Sequence, residues 1–331
     1  MNNTLFVLLD GAEDDPHPLL GGKKPIDVAK MPFLESRVAY RHKTTGRAYT
    51  HLFLNEFFTG HPPESSRAAI EAMGLGLNMD GGRTAYRLSP AEIRDNMIIW
   101  SYNTESFRDE LERNVMDSLD ILDPYSPDIN FFLNGRAVLT MECDDVPDLP
   151  GPPVNAPFVE VPGDLGRMVM QVADIMDGIT DYPWGCGRLG QIYPGFGSLG
   201  GMTAISDSPT SLGICASLGH DIRLIKDLDA RFPVAAEALE HGNVFLHIDE
   251  VDEYSHQKDP FKKKWVLEHT DELMREYFSD AERIVYFADH GTSCVTGEHI
   301  LMNVPVWTTF ESEFEDGELI PLNRVIPGLL G

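Results

Sequence analysis

Acidic residues and histidines cluster at the ends of three apolar runs of the sequence, LFVLL, NVFLHI and RIVYFA. Six of them lie at or beyond the ends of these runs: Asp10, Asp252, His256, Asp289, His290 and His299. Carboxylate and imidazole ligands together favour Zn, Mn and similar divalent ions over calcium. A single Asp at a strand end is commonly a helix cap, and a lone Asp-His pair is commonly a surface feature, but six together are not explained in that way. The sequence therefore predicts a site for two divalent ions, Mn or Zn, with Mg as an alternative.

A site with two ions also needs a nucleophile or an activated water, and Ser65 in GHPPESSRAAIEAMG is the best candidate hydroxyl. The apolar run Ala68 to Ile70 predicts a helix that starts at Ser65. The free amides and the dipole of its first turn would attract a phosphate, and the Arg67 guanidinium could pair with phosphate oxygens. The alternative is structural, with Ser65 or Ser66 as the helix cap and Arg67 on the surface.

Short apolar runs alternate with longer amphipathic stretches, a pattern that predicts an α/β fold with a mainly parallel sheet. The clearest strands are Leu5 to Leu9, Asn243 to Ile248 and Arg283 to Ala288. Helices are predicted over Ser65 to Met73, Arg108 to Ser118, Leu165 to Met176, Pro209 to Leu218 and Lys262 to Phe278. Ligands of such sheets bind at the carboxyl ends of the strands, so the acids that follow the three runs are expected to converge there.

The middle of the chain differs in composition from both ends. Residues Asp144 to Gly163, which include DVPDLPGPPVNAP, are too rich in Pro, Gly and Asp for regular structure. A strand candidate, Arg136 to Met141, precedes them, and a helix candidate begins at Leu165. We therefore predict a discontinuous catalytic domain, residues 1–90 and 184–331, with an inserted smaller α+β cap domain, residues 91–183.

The net charge restricts the possible partners. The 331 residues include 53 acidic and 26 basic side chains, which gives a formal charge of −27. Nucleic acids and anionic membranes both bind basic surfaces, so neither is an expected partner. Because the acids are scattered along the chain, most of this charge is expected on a solvated surface. The sequence makes no prediction of oligomeric state.

The cysteines and the first residues bear on the cellular compartment. Cys143, Cys186, Cys215 and Cys294 form no CxxC pair, which predicts free thiols rather than disulfides or a thiolate zinc site. MNNTLFVLLDG lacks the basic lead and the cleavage site of a signal peptide, and no apolar run is long enough to span a membrane. These features predict a cytoplasmic protein.

The order of the candidate residues resembles that of the alkaline phosphatase superfamily: an Asp after the first strand, a hydroxyl nucleophile, an Asp then a His, an Asp-His pair and a last His. Four segments are similar to cofactor-independent phosphoglycerate mutases of the archaeal type: LLDGAEDDPHPLLGGKKPIDVAKMPFL, IEAMGLGLNMDGGRTAYR, NVFLHIDEVDEYSH and FADHGTSCVTGEHILMNVPV. The resemblance covers most of the predicted catalytic domain and little of the cap. It implies an alkaline phosphatase-like, three-layer sandwich around the mainly parallel sheet.

The resemblance also implies a role for each candidate residue. One ion would be bound by Asp252, His256 and His299. The other would be bound by Asp10, Asp289, His290 and the nucleophile, Ser65. The implied reaction is that of a glycolytic mutase. The hydroxyl attacks a small phosphate monoester, a phosphoenzyme forms, and the phosphoryl group returns to the other oxygen of the bound glycerate.

One departure from that family concerns the nucleophile. The family's nucleophile lies in a Gly-Ser-Asp context that is absent here, and Ser65 after Pro-Glu fits if a later segment is shortened. A second register aligns Arg67 to Ala72 with the family's Gly-Arg-Gly stretch and leaves the nucleophile between Arg47 and Thr50. Thr50 is then the candidate hydroxyl, or an activated water replaces it.

Another departure lies in the predicted cap. The family has an arginine-rich motif that binds the substrate's carboxylate and phosphate, whereas this chain reads MIIWSYNTESFRDE and leaves Arg108 and Arg136 as candidates. Three hypotheses follow: a mutase acting on phosphoglycerate, a metal-dependent phosphatase or phosphonate or phosphate-ester hydrolase with a different substrate, and a metal-binding protein that has lost catalysis. A mutase must retain its glycerate while water is excluded, whereas a hydrolase admits water. The overall resemblance places the mutase first.

Overall fold

The computed structural model describes residues 3–331, in which strands and helices alternate. The strands are β1 (Thr4–Leu9), β2 (Tyr40–Thr45), β3 (Thr84–Arg94), β4 (Met97–Trp100), β5 (Asp128–Phe131), β6 (Ala137–Met141), β7 (Ala156–Pro157), β8 (Ile179–Gly187), β9 (Met202–Ser206), β10 (Asp221–Leu224), β11 (Asn243–Ile248), β12 (Arg283–Phe287), β13 (Gly291–Thr292), β14 (His299–Ile300), β15 (Asn303–Thr308) and β16 (Leu319–Ile320). The α-helices are α1 (Pro25–Val28), α2 (Pro32–Arg37), α3 (Thr50–Thr59), α4 (Arg67–Gly74), α5 (Arg108–Asp117), α6 (Gly163–Ile175), α7 (Pro209–Ser217), α8 (Leu228–Leu239), α9 (Glu250–His256), α10 (Pro260–Phe278) and α11 (Val325–Leu330). Short 3₁₀ helices lie at Pro18–Leu20, Asp80–Gly82, Leu119–Tyr125, Leu133–Gly135, Gly197–Leu199 and Leu322–Arg324.

The strands and helices predicted from periodicity are present, and their ends are shifted by no more than about two residues. The start of α4 shows why such shifts occur. The helix begins at Arg67 rather than Ser65 because Ser66 is its cap, and the Ser66 hydroxyl accepts a hydrogen bond from the Ala69 N–H at 3.2 Å. The Pro-Pro-Glu-Ser-Ser signal therefore marks the right helix and misplaces its first turn.

The chain divides into two compact units, Met1–Pro63 with Tyr193–Gly331, and Glu64–Ile192. These bounds differ from the predicted ones, because the predicted divisions at 90/91 and 183/184 fall inside β3 and β8. Those two strands pair residue by residue, with Arg87 opposite Trp184 and Glu92 opposite Ile179, so neither can be divided between units. A composition change at a loop did not reveal that both flanking strands belong to the inserted unit.

The first unit is built on one large sheet. Among the described residues its strand order is β10-β9-β11-β1-β12-β15-β2-β16. Neighbouring strands are parallel from β10 through β12, and the pairs β12/β15 and β15/β2 are antiparallel. Every residue of β1 is buried, as expected for a central strand that is covered on both faces. The prediction of an α/β fold with a mainly parallel sheet is confirmed.

Helices cover both faces of this sheet. Helix α7 links β9 to the edge strand β10, and α8 leads back from β10 to β11, so the two crossovers run in opposite directions. Right-handed crossovers in opposite directions place their helices on opposite faces, which gives the predicted three layers. Helix α3 packs through aromatic rings, with Phe57 against Phe287 at a centroid distance of 4.5 Å and Phe58 against Phe245 at 5.6 Å. These contacts fix α3 to the central strands.

The second unit is smaller and antiparallel. Its sheet has the order β5-β6-β3-β4-β7, and β8 pairs with β3. Helices α4, α5 and α6 belong to the same unit, which makes it the α+β insertion that was predicted. Its core includes Tyr86, Trp100, Leu139, Met168 and Tyr182. No helix in the part of the chain from residue 3 onward is both long and apolar enough to cross a membrane.

Candidate metal centre

The six candidate ligands all belong to the first unit and converge at one edge of its sheet. Asp10 directly follows β1, Asp289 and His290 follow β12, and Asp252 and His256 lie on α9, which begins just after β11. These three strands are parallel neighbours, so their carboxyl ends meet at the same edge. His299 returns to this edge because β13 and β14 form a short antiparallel pair, with Thr292 opposite His299.

Asp10, Asp289 and His290 form the first ligand group. The His290 Nε2 atom is 3.3 Å from Asp10 Oδ1 and 3.3 Å from Asp289 Oδ2. Both oxygens are buried and accept no hydrogen bond from the described residues. Buried carboxylate oxygens without a donor are costly, and a bound cation removes that cost. The two unsatisfied carboxylate oxygens therefore make this group suitable for a divalent ion.

Backbone amides and a threonine orient this first group. The N–H groups of Gly11 and His290 both donate to Asp289 Oδ1, at 3.2 and 3.0 Å, and leave Oδ2 to face His290. His290 Nδ1 is 3.1 Å from the Thr292 hydroxyl oxygen. Gly11 has a φ of +59°, and a Cβ there would lie 2.6 Å from both Asp252 Oδ1 and Thr292 Oγ1. Only glycine satisfies both the backbone conformation and the space.

Asp252, His256 and His299 form the second ligand group. His256 Nε2 is 3.1 Å from Asp252 Oδ2 and 3.2 Å from His299 Nε2. The Nδ1–H of His256 donates to the Gly297 carbonyl at 2.8 Å, and that of His299 donates to the Ala48 carbonyl at 2.6 Å. Carbonyl acceptors fix the tautomer, so each neutral ring directs the lone pair of Nε2 toward Asp252. Two such lone pairs beside one carboxylate match the ligand preference of Zn or Mn.

Burial and neighbouring charges shift the pKa values of these groups in different directions. Burial and the charges of Asp289 and Asp252 raise the pKa of Asp10 well above its ordinary value. Burial opposes ionisation of Asp252 too, but His256 and His299 lower its pKa well below the ordinary range. Burial lowers the pKa of His290 to about 4, whereas Asp252 raises that of His256 against the effect of burial. These shifts favour the protonated forms of Asp10 and His256, and metal binding, which needs the deprotonated ligands, would act against them.

Thr50 is the hydroxyl that the first unit places beside the first ligand group. Its Oγ1 is 3.4 Å from Asp10 Oδ2 and 3.5 Å from His290 Nε2. Thr50 is the first residue of α3, a helix of ten residues, and is 8% exposed. The positive end of the α3 dipole lies at this first turn and favours an anion nearby. The second sequence register, which leaves the nucleophile between Arg47 and Thr50, fits this placement.

Ser65, Ser66 and Arg67 belong to the second unit. The Ser65 hydroxyl accepts a hydrogen bond from the Gly190 N–H at 3.0 Å, and Ser66 is the cap of α4. Arg67 pairs with Glu71 at 2.9 Å and lies over the Trp184 ring, with its guanidinium carbon 5.0 Å from the ring centroid. Each has contacts of the structural kind that the sequence left open as an alternative. A catalytic role for Ser65 and Arg67 stays a prediction.

Two further residues near the ligands were not anticipated. The Thr292 hydroxyl donates to Asp252 Oδ1 at 2.5 Å while it contacts His290 Nδ1, so it connects the two ligand groups. His247, in the middle of the apolar run NVFLHI, is fully buried with Nε2 2.7 Å from Asp10 Oδ2. The one signal for His247 in the sequence is that a histidine interrupts an otherwise apolar strand. Thr292 has no comparable signal, because threonine is common in loops and strands alike.

Lys263 on α10 connects the loops that carry the ligands. Its side chain is fully buried, and its Nζ donates to the carbonyls of Gly11 at 2.8 Å, Thr292 at 3.0 Å and Glu13 at 3.2 Å. It also forms an ion pair with the buried Asp14 carboxylate at 2.9 Å. The loops after β1 and β12 therefore share a single buried cation, which fixes their separation.

We predict that Lys263→Met lowers the free energy of unfolding by about 3–5 kcal/mol, because it leaves Asp14 as a buried charge without its partner. Urea denaturation of the metal-free protein measures this change. The matched control is Lys264→Met, since Lys264 pairs with Glu268 on the surface and should contribute less than about 1 kcal/mol. Equal losses in the two variants would contradict the role given to Lys263.

The sequence comparisons agree with this geometry. A family model described as the metalloenzyme superfamily matches residues 220–318, which contain every candidate ligand except Asp10. The 2,3-bisphosphoglycerate-independent phosphoglycerate mutase of Picrophilus torridus is 22% identical over 92% of this chain and 88% of its own. The enzyme of the same name from Methanopyrus kandleri is 25% identical over 92% of this chain and 87% of its own.

Two solved structures are similar to this chain. The PH0037 protein from Pyrococcus horikoshii aligns with a TM-score of 0.72 at 16% identity, over 98% of this chain and 96% of its own. The cofactor-independent phosphoglycerate mutase from Thermoplasma acidophilum aligns with a TM-score of 0.51 at 19% identity, over 93% and 89%. The predicted resemblance to cofactor-independent phosphoglycerate mutases is confirmed, and the chain shares its fold with both solved structures. Together the findings support divalent metal binding and metal-dependent phosphoryl transfer in general.

Proposed function

We propose that this protein transfers the phosphoryl group of a small phosphate monoester through the Thr50 hydroxyl. The observation that carries the proposal is the position of Thr50 Oγ1, 3.4 Å from Asp10 Oδ2 and 3.5 Å from His290 Nε2. A nucleophile must lie within reach of a group that accepts its proton and of the groups that neutralise the transferred charge. Thr50 satisfies both conditions within one unit.

Two divalent ions, Mn or Zn by the mixture of imidazole and carboxylate, complete the proposed site. One would be bound by Asp252, His256 and His299, and the other by Asp10, Asp289 and His290. Such ions neutralise the oxygens of a phosphoryl group and lower the pKa of a nearby hydroxyl. The buried oxygens Asp10 Oδ1 and Asp289 Oδ2, which no described donor satisfies, support the assignment of the second ion.

The residues define a sequence of bond changes. Asp10 Oδ2 accepts the proton of Thr50 as Oγ1 attacks the phosphorus, and the ester P–O bond breaks to release the alkoxide, which takes a proton from water. The positive end of the α3 dipole lies at Thr50 and favours the negatively charged phosphoryl oxygens. Thr50 then carries the phosphoryl group. An oxygen of the alcohol takes it back in a mutase, and water takes it in a hydrolase.

The mutase reaction on phosphoglycerate is our first assignment, because relatives of that name match more than nine-tenths of the chain. Hydrolysis is the second candidate, and the arginines of the second unit favour it. Arg108, one of the two arginines expected to bind the substrate's anions, pairs with the adjacent Asp109 and is 46% exposed. Arg67 and Arg87 both pair with Glu71 inside that unit. A mutase needs firm contacts to its glycerate. Because these arginines are already paired with acids, they favour a hydrolase, which releases the alcohol.

The deciding experiment follows phosphorus by NMR after the purified protein is supplied with Mn²⁺ or Zn²⁺. With 3-phosphoglycerate, appearance of 2-phosphoglycerate identifies a mutase, and appearance of inorganic phosphate identifies a hydrolase. With p-nitrophenyl phosphate, release of nitrophenol detects phosphoryl transfer to Thr50 and then to water. Mass spectrometry of acid-quenched protein should find phosphate on the peptide that contains Thr50. Absence of turnover with a panel of monoesters and either metal would leave the noncatalytic hypothesis.

We also predict that metal binding releases protons, and that the number released falls as the pH rises. The reason is that the pKa values of Asp10 and His256 lie above their ordinary values in the metal-free protein, so a cation must displace those protons. The apparent affinity for the metal should therefore fall on acidification. It should rise with pH until Asp10 and His256 are deprotonated even without metal. Calorimetric titration with Mn²⁺ in two buffers of different ionisation enthalpy measures the protons released. Binding without proton release would contradict the assigned ligands.

A further inference from the structure

His247 forms a continuous chain of side-chain contacts with the first ligand group. Its Nε2 is 2.7 Å from Asp10 Oδ2, and its Nδ1 is 2.8 Å from the Ser206 hydroxyl oxygen. The Ser208 N–H donates to that same hydroxyl oxygen at 2.8 Å. His247 and Ser206 are both fully buried, so this chain is shielded from solvent. The six candidate ligands identified in the sequence do not include either residue.

The contacts determine where the imidazole proton lies. Because Ser206 Oγ already accepts from Ser208, its own proton is available to donate to His247 Nδ1. With Nδ1 accepting the Ser206 proton, a neutral ring carries its own proton on Nε2, and the ring therefore donates the 2.7 Å hydrogen bond to Asp10 Oδ2. Nδ1 is then the acceptor and Nε2 the donor. Both hydrogen bonds of the ring are satisfied in this tautomer.

We propose that His247 is a positioning residue that donates Nε2–H to Asp10 Oδ2 and thereby directs Oδ1 toward the metal ion. The inference rests on the proposed function only in that Asp10 is a metal ligand. Asp10 Oδ1 faces His290 Nε2 at 3.3 Å, whereas Oδ2 is directed to His247 and lies near Thr50. A hydrogen-bond partner behind a ligating side chain commonly sets its orientation and affinity. The two oxygens of Asp10 thus have separate tasks.

Arg231 fixes the backbone from which His247 projects. Its Nη1 donates to the His247 carbonyl at 3.1 Å, and its Nη2 pairs with Glu250 at 2.7 Å and with Asp207 at 2.8 Å. The guanidinium is fully buried, and its Nε donates to the Ile225 carbonyl at 2.9 Å. A planar group with several simultaneous bonds restrains the end of β11 firmly. The His247 ring is therefore held at a constant distance from Asp10.

A competing interpretation makes His247 a ligand of its own. Asp10, His247 and Asp249 lie close enough together to bind a cation. His247 Nε2 is 3.6 Å from Asp249 Oδ1, however, and only 2.7 Å from Asp10 Oδ2, which is the length of a hydrogen bond. The geometry thus favours a proton between His247 and Asp10 over an ion between all three. The experiments below distinguish these two interpretations.

The tautomer can be observed directly by nitrogen NMR of protein labelled with ¹⁵N-histidine, without any turnover. The signals of His247 are assigned by their loss in His247→Gln. We expect Nε2 to be protonated and Nδ1 to be unprotonated. This result is expected both in the metal-free protein and in protein loaded with Zn²⁺ alone. A protonated Nδ1, or an Nε2 that becomes a zinc ligand on loading, overturns the proposal.

Metal titration of three variants gives an independent measurement. His247→Leu removes the donor and should weaken binding of the Zn²⁺ ion that Asp10 binds by about 10- to 100-fold. His247→Gln places an amide N–H near the position of Nε2 and should recover at least about tenfold of that loss. Equal losses in both variants, or a third ion in the wild type that His247→Gln loses, would overturn the proposal. If His247→Leu does not fold, Ser206→Ala replaces it, and its zinc affinity should fall by several-fold because the Nδ1 partner is gone.

These readouts separate this inference from the proposed function. The tautomer measurement is repeated in Thr50→Ala, which keeps Asp10 and His247 but lacks the proposed nucleophile. An unchanged tautomer in that background supports the positioning role even if phosphoryl transfer is never found. If the wild-type protein binds no zinc, both the positioning role and the proposed function are refuted, because Asp10 is then not a ligand.

Discussion

Thr50→Ala is expected to reduce turnover of a phosphate monoester by about 10⁴-fold or more, as removal of a nucleophile does in other covalent mechanisms. Thr50→Ser should stay within about tenfold of the wild type, because the serine hydroxyl can occupy the same position beside Asp10 and His290. Initial rates with p-nitrophenyl phosphate, at fixed metal concentration, measure both effects. Metal content must be equal in all proteins compared.

Ser65→Ala and Ser66→Ala are the controls for that experiment. If Thr50 is the nucleophile, Ser65→Ala should keep its activity, since the Ser65 hydroxyl accepts from the Gly190 N–H within the second unit. Ser66→Ala should lose only about 1 kcal/mol of stability through its cap of α4. A Thr50→Ala protein with normal turnover and an inactive Ser65→Ala protein would restore the first sequence register.

The second large effect is expected in Asp289→Ala. Wild-type protein should contain about two divalent ions, and the variant should lose the ion bound by Asp10, Asp289 and His290. Turnover should fall by about a thousandfold or more, because that ion would supply several kcal/mol of charge stabilisation. Elemental analysis of protein dialysed against trace Zn²⁺ or Mn²⁺ measures the content.

The matched control is Asp27→Ala, which removes an exposed acid of α1 in the same unit. It should keep both ions and full turnover. Wild-type protein without metal after reconstitution would refute the whole assignment, and normal metal content in Asp289→Ala would remove Asp289 from the ligands. A content of about one ion in the wild type would restrict the proposal to a single ligand group.

The sheet and the convergence of the acids could be predicted because both depend on local pattern. Apolar runs such as LFVLL define buried strands, and parallel strands end at one edge, so Asp10 and Asp289 had to lie near each other. His299 was a candidate because it follows His290 closely in the sequence, but no strand end placed it, since it reaches the site through the pairing of β13 with β14, two residues each. The roles of these ligands remain predictions that the metal analysis will test.

The nucleophile and the unit bounds were harder to predict, for different physical reasons. The signal at Ser65 was a true helix signal, but a capping serine and a nucleophilic serine look alike in sequence. Thr50 follows Tyr49, which is not a typical helix-capping residue. Its proposed role as nucleophile depends on its distances to Asp10 and His290, which no local sequence pattern encodes. The predicted cap bounds cut β3 and β8, because their pairing spans about a hundred residues of chain.

Thr292 has a consequence for how the site acquires its metals. Its hydroxyl donates to Asp252 in one ligand group and contacts His290 Nδ1 in the other. An ion bound at His290 Nε2 holds the imidazole proton on Nδ1, which leaves the threonine proton for Asp252 and completes the second group. Loading of the two ions is then cooperative, and protein with a single ion should be the rarest species in a titration. One methyl-bearing side chain would thus make two binding sites a single thermodynamic unit.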